Sequence, residues 1–164
     1  MKISQKHLIA LVSSFFIFFK AGILLAESNM ADHNHGHVNQ AVSGLSLNKG
    51  EKWKTDDALR QGMHRINDAA MKAVPAFHHD TMTKTDAVKL AKQINDQVSY
   101  IVTNCSLQLE ADVMLHVLIG DLLTATAKLS DEPLSGQGLP VIVKTIQQYP
   151  VFFDHPGWNV FKRE

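Results

Sequence analysis

The side chains of this sequence best equipped for chemistry are soft or basic: one cysteine, Cys105, six methionines and nine histidines. Met63, Cys105, His116 and His155, with Met114 beside them, supply thioether, thiol and imidazole donors. That set suits copper, the thiolate and thioether favouring Cu(I). Met63 and His155 together also suit the two axial positions of a haem iron, which makes haem b the alternative cofactor. A different group is Ala31, Asp32, His33, Asn34, His35, Gly36 and His37, where three histidines alternate. Alternating histidines in a polar segment chelate Cu(II), Ni(II) or Zn(II), so His33, His35 and His37 are read as an auxiliary metal site.

Each of these residues also has a purely structural reading. Met63 falls on an apolar stripe and Met114 borders one, where methionine commonly fills core space. Cys105 occupies a seam position in which cysteine acts as a small buried apolar residue. His116 is offset towards the flank of its helix, and His155 equally suits tying a tail to the rest of the chain. His78, His79, Asp80 and Met82 read as an exposed polar loop. Catalytic signatures are missing: there is no nucleophile elbow, glycine-rich phosphate loop, His-Glu-x-x-His or pair of zinc-type cysteine doublets. Cys105 and His116 as thiol and base lack a third orienting group. The expectation is a non-enzyme.

The elements that must position these residues are helical. A basic start, Met1 to His7, precedes an apolar run from Leu8 to Phe19, broken only by Ser13 and Ser14, and Ala21 to Ala26 adds a second apolar stretch. This is the layout of a signal peptide over residues 1–26, with a retained N-terminal anchor as the alternative. Residues 27–44 are polar and read as a flexible His-rich leader. Residues 45–164 then form one domain. Cleavage removes Lys2, Lys6 and Lys20, so 13 bases face 16 acids for a net charge of −3. That balance gives no reason to expect nucleic acid or an anionic membrane as a partner. A lone cysteine forms no internal disulfide in an oxidising compartment.

Within the domain, Leu45, Leu47 and Trp53 mark a segment lying against it, and Thr55 or Asp56 caps the first helix. Leu59, Met63, Ile66, Ala70 and Val74 recur at a helical period until Pro75, where the helix is expected to stop. Ala87, Ala91, Ile94, Val98, Ile101 and Cys105 give the second seam; Ala111, Leu115, Leu118, Leu122, Ala125 and Leu129 give the third. A link of about three residues makes these two helices antiparallel neighbours. Pro140 fits the first position of a fourth helix striped by Leu139, Ile142, Ile146 and Tyr149, which Pro150 kinks or ends. No strand pattern of useful length is present. The predicted class is all-α, an antiparallel up-down-up-down four-helix bundle. That topology gathers Met63, Cys105, Met114, His116 and His155 within roughly 12 Å of one end by helix rise, with Trp53 and Trp158 flanking them.

Several stretches carry a resemblance: Leu47 to Asp56 (LNKGEKWKTD), Leu59 to Met63 (LRQGM), Tyr100 to Cys105 (YIVTNC), Ala111 to His116 (ADVMLH) and Phe153 to Trp158 (FDHPGW). Together they are similar to small exported proteobacterial helical proteins sometimes given a DnrO-type label. The resemblance implies a helical fold and export, often beside a His-rich leader, and carries over no activity. In layout alone the chain also resembles soluble periplasmic b-type cytochromes, whose haem is held by a methionine on the first helix and a histidine on the last; here His155 lies beyond Pro150 and beside Pro156. The sequence thus points to a periplasmic copper-binding bundle, with a haem protein or a cofactor-free module that binds another periplasmic protein as alternatives.

Overall fold

A computed structural model describes residues 44–159. The expected signal peptide and most of the leader, including His33, His35 and His37, lie outside the described residues. In chain order the elements are β1 (Trp53–Lys54), α1 (Asp57–His78), α2 (Lys84–Asn104), α3 (Leu109–Asp131), α4 (Gly138–Phe152) and β2 (Phe153–Asp154).

Consecutive helices pack against each other, and α4 closes the ring against α1. Links this short force neighbouring helices antiparallel, which yields the up-down-up-down bundle. Every α3 seam residue, from Ala111 to Leu129, is buried, and so are Leu59, Met63, Ile66 and Ala70 of α1. On α2 the seam is buried from Ala87 to Ile101, with Cys105 half-buried as the residue that ends the helix. Leu139, Ile142, Ile146 and Tyr149 complete the core from α4.

The helix ends follow local chemistry. Asp56 caps α1, its side chain accepting from the Leu59 amide at 2.7 Å. Thr83 and Asp86 form a reciprocal capping box at the start of α2. Pro75, expected to stop α1, does not: the helix runs on to His78. The proline ring deletes one helical hydrogen bond, but Ala76 and Phe77 gain packing against the core. The end is then closed by the His79 amide donating to Pro75 O at 3.0 Å and the Thr81 amide to Ala76 O at 2.8 Å. Pro140 sits at the third position of α4, after Gly138 and Leu139, where a helix has no internal partner for the amide that proline lacks. Pro150 is likewise inside α4, which ends at Phe152. The loop between α1 and α2 also turns Met82 into the core, leaving His78, His79 and Asp80 exposed.

The segments flanking the bundle pair with each other. Trp53 and Lys54 run parallel to Phe153 and Asp154, a contact too short to leave an alternating pattern in sequence. Lys54 Nζ meets Asp154 Oδ2 at 2.8 Å, and the Thr55 hydroxyl donates to Asp154 O at 2.6 Å. Ahead of β1, Asn48 and Glu51 exchange two backbone bonds around Lys49 and Gly50, both with positive φ, a primed two-residue turn.

Close approach of α1 and α2 depends on Gly62, where an added Cβ would overlap Ile101 Cγ1 and Cδ1. Gly62→Ala should therefore lower unfolding stability in urea by about 1 to 2 kcal/mol, because overpacking outweighs the helix-propensity gain of alanine. A more stable variant would show that this approach is not tight.

Candidate functional site

The end of the bundle where α1 begins and α4 finishes is organised around the carboxylate of Asp56. Beyond capping α1, it accepts the Ser106 amide through Oδ2 at 2.6 Å, so the α2–α3 link is fastened to the start of α1. The Cys105 thiol hydrogen-bonds to the same carboxylate. Burial works against ionisation of Asp56, yet the Leu59 amide, the Ser106 amide, the Cys105 thiol and the Arg60 charge together hold its carboxyl below the usual value. Cys105 responds in the opposite sense. Burial, the charge and hydrogen bond of Asp56, and the charge of Asp112 push the thiol up to about 12. It is therefore a protonated donor at neutral pH, the reverse of an activated cysteine. Arg60 lies over this junction, with Nη1 donating to Thr55 O at 2.6 Å and Nη2 paired with Asp57.

Beside the junction is an aromatic and imidazole cluster closed by the tail. Tyr149 is fully buried and its hydroxyl lies 3.0 Å from His155 Nδ1. Its ring stacks on Phe153 at 5.4 Å and receives Trp158 edge-on at 4.9 Å. The return of the chain is a turn through His155, Pro156, Gly157 and Trp158, with the Trp158 amide donating to His155 O at 3.1 Å and Gly157 at φ 78°. Proline then glycine with positive φ is the signature of a type II turn. It brings the Trp158 ring to 4.9 Å from His155. His64, exposed two turns into α1, completes the group at 6.1 Å from His155 and 6.2 Å from Trp158. Burial, then the proximity of His64 and of Arg60, lower the His155 pKa, so the ring is neutral near neutral pH. Burial likewise raises Tyr149 above the ordinary phenol range, keeping its hydroxyl protonated. The Trp158 Nε1 is buried without a hydrogen-bond partner among the described residues.

Of the expected ligands Met63, Cys105, His116 and His155, only Cys105 and His116 share a cleft at this end, with Met63 and His155 placed elsewhere. Met63 is 1 % exposed and sits on the α1 seam. Cys105 and His116 line one cleft of ≈ 410 Å³ together with Ser106 and Asp112. His116, its side chain 60 % exposed, donates from Nδ1 to Asp112 O at 2.9 Å and has the Asp112 carboxylate at 3.4 Å. Met114 accepts the Ser46 amide on its sulfur at 3.3 Å and borders a second cleft, beside Trp53 and Leu47. Among the described residues no three His, Cys, Asp or Glu side chains cluster closely enough to hold an ion. The sequence reading missed His64, Asp56 and Tyr149 as members of the site. His64 stands off the apolar stripe, and its only signal was adjacency to Met63; the turn residues Pro156 and Gly157 were the readable cue that the tail folds back.

Comparison of the chain with protein-family models, curated proteins and solved structures finds no match.

Two outcomes follow from these geometries. Asp56→Asn should weaken the cap by about 1 kcal/mol and, by removing the charge that opposes thiolate formation, speed alkylation of Cys105 in mild alkali by about tenfold; an unchanged alkylation rate would refute the thiol–carboxylate link. His155 has a folded pKa below its unfolded value, so its contribution to stability is complete above the unfolded pKa and is lost as pH falls through the folded one. Unfolding stability should drop between about pH 7 and pH 5, and His155→Gln should flatten that segment of the profile.

Proposed function

We propose that this chain is an exported, non-enzymatic helical bundle that binds a soft metal ion, copper by preference, at the end closed by its C-terminal tail. The observation that carries the reading is the neutral His155 imidazole, held at Nδ1 by Tyr149 and placed beside a second imidazole. Neutral imidazole is a ligand form that suits copper. Export rests on the signal-peptide layout of residues 1–26 and the resemblance to small exported helical proteins, with the periplasm as destination and a retained anchor as the alternative. His33, His35 and His37 would then act as an auxiliary chelator. The non-enzymatic reading is supported by the state of Cys105, whose thiol donates to Asp56 while the His116 Nδ1 is engaged with its own helix.

Geometry shifts weight among the expected ligands. Cys105 must release a firmly held proton before it can bind, and Met63 would have to leave the core. The same burial of Met63 favours copper over haem b, because an axial methionine needs open space for the macrocycle and Met63 is packed within the α1 seam.

The full chain, purified without a metal-affinity tag and reduced under anaerobic conditions, should take Cu(I) from a chromophoric chelator with saturable stoichiometry. A Soret band on haem titration, lost in Met63→Ala, would favour the haem reading instead. Absence of both responses would leave a cofactor-free module whose partner is another periplasmic protein.

A further inference from the structure

We infer that His64 and His155 form a two-imidazole site for a singly charged soft cation, Cu(I), covered on one side by the Trp158 indole. The inference rests on the copper reading above and assigns it a location that includes a residue outside the expected ligand set.

Separation is the first argument. An ion bound about 2.0 to 2.1 Å from one nitrogen of each imidazole holds the ring centroids roughly 5 Å apart at a tetrahedral angle and roughly 6.5 Å apart when linear. The observed 6.1 Å lies in this interval, nearer the open angle of a two-coordinate site. His64 is exposed on the outer side of α1, so the ion reaches it from solvent and the side chain has freedom to adjust.

The surroundings of His155 are the second. The Tyr149 oxygen lies 3.0 Å from Nδ1, and a metal on Nε2 would select the tautomer in which Nδ1–H donates to that oxygen, the usual division of labour in a ligating histidine. Tyr149 is itself immobilised by stacking on Phe153. It is therefore a positioning residue, aiming the ring without touching the ion.

Charge and coordination number choose the ion. Among the described residues no third His, Cys, Asp or Glu joins these two histidines, and neither is ion-paired. The Arg60 charge acts on His155. A divalent zinc ion, which favours four ligands, would lack donors here. A monovalent ion content with two imidazoles does not have that difficulty, and the indole, its ring centroid 4.9 Å from that of His155 and 6.2 Å from that of His64, stands beside the place such an ion would occupy.

The test uses the full chain carrying His33→Ala, His35→Ala and His37→Ala, so that leader histidines do not contribute. Cu(I) affinity is measured by chelator competition, with tryptophan fluorescence followed in parallel and Zn(II) as comparator. One equivalent of Cu(I) should bind and quench fluorescence, and His64→Ala should weaken binding by at least about tenfold with unchanged helical circular dichroism. His64 is the decisive position because it is exposed, whereas His155→Ala also removes the Tyr149 contact. Trp158→Phe should abolish most of the quenching, and Tyr149→Phe should weaken affinity less than His64→Ala does. If the parent binds Cu(I) and His64→Ala binds it equally well, this site is wrong while the copper reading stands; Cys105→Ser then locates the alternative. Failure of the parent to bind overturns both. Tighter binding of Zn(II) than Cu(I) overturns the choice of ion.

Discussion

One carboxylate couples three parts of the chain. Asp56 satisfies an orphan amide of α1, takes the Ser106 amide from the link between α2 and α3, and receives the Cys105 thiol. A helix start has donors that need acceptors, and a tight interhelical link has donors of its own; one anion at their junction serves both. The arrangement explains why the carboxyl stays ionised despite burial and why the thiol does not ionise. The two effects are a single interaction seen from its two partners.

The remaining closure of this end comes from sequence-distant contacts. β1 and β2 join segments about one hundred residues apart, and the Thr55 hydroxyl bonds to the Asp154 carbonyl across the same gap. These contacts must await docking of α4 on α1, because loop-closure entropy opposes them until the helices are in place. Tyr149 then does for the tail what Asp56 does for the link. Its ring fills the end of the core while its hydroxyl reaches His155 Nδ1 on the returning chain.

The helical seams were legible residue by residue, since burial on one side of a helix leaves a period that survives in sequence: Ala111 to Leu129 is the clearest case. Pro75 misled because proline removes one hydrogen bond but leaves the φ of the helix intact, and the packing of Ala76 and Phe77 decided the outcome. The bundle end that gathers Cys, His and Met was legible from topology. Grouping within that end was not, because it depends on helix rotation and on hydrogen bonds that sequence does not encode locally. His116 bonds to its own helix at Asp112, Met63 turns inward, and His64, one residue on, turns outward to the tail.

Protonation decides which donors at this end are ready for a metal. A thiolate is the softer ligand and by softness alone should win Cu(I). Here, however, burial and two carboxylates oppose its formation, so binding at Cys105 would require releasing a proton held up to a pKa of about 12 and breaking the bond to Asp56. His155 stands in the opposite position, since burial and neighbouring positive groups already favour its ligand form. The same low-dielectric end thus withholds the thiol and offers the imidazole. A metal bound there as proposed would meet the harder nitrogen donor first, not because nitrogen is preferred but because it is the donor the fold has already deprotonated.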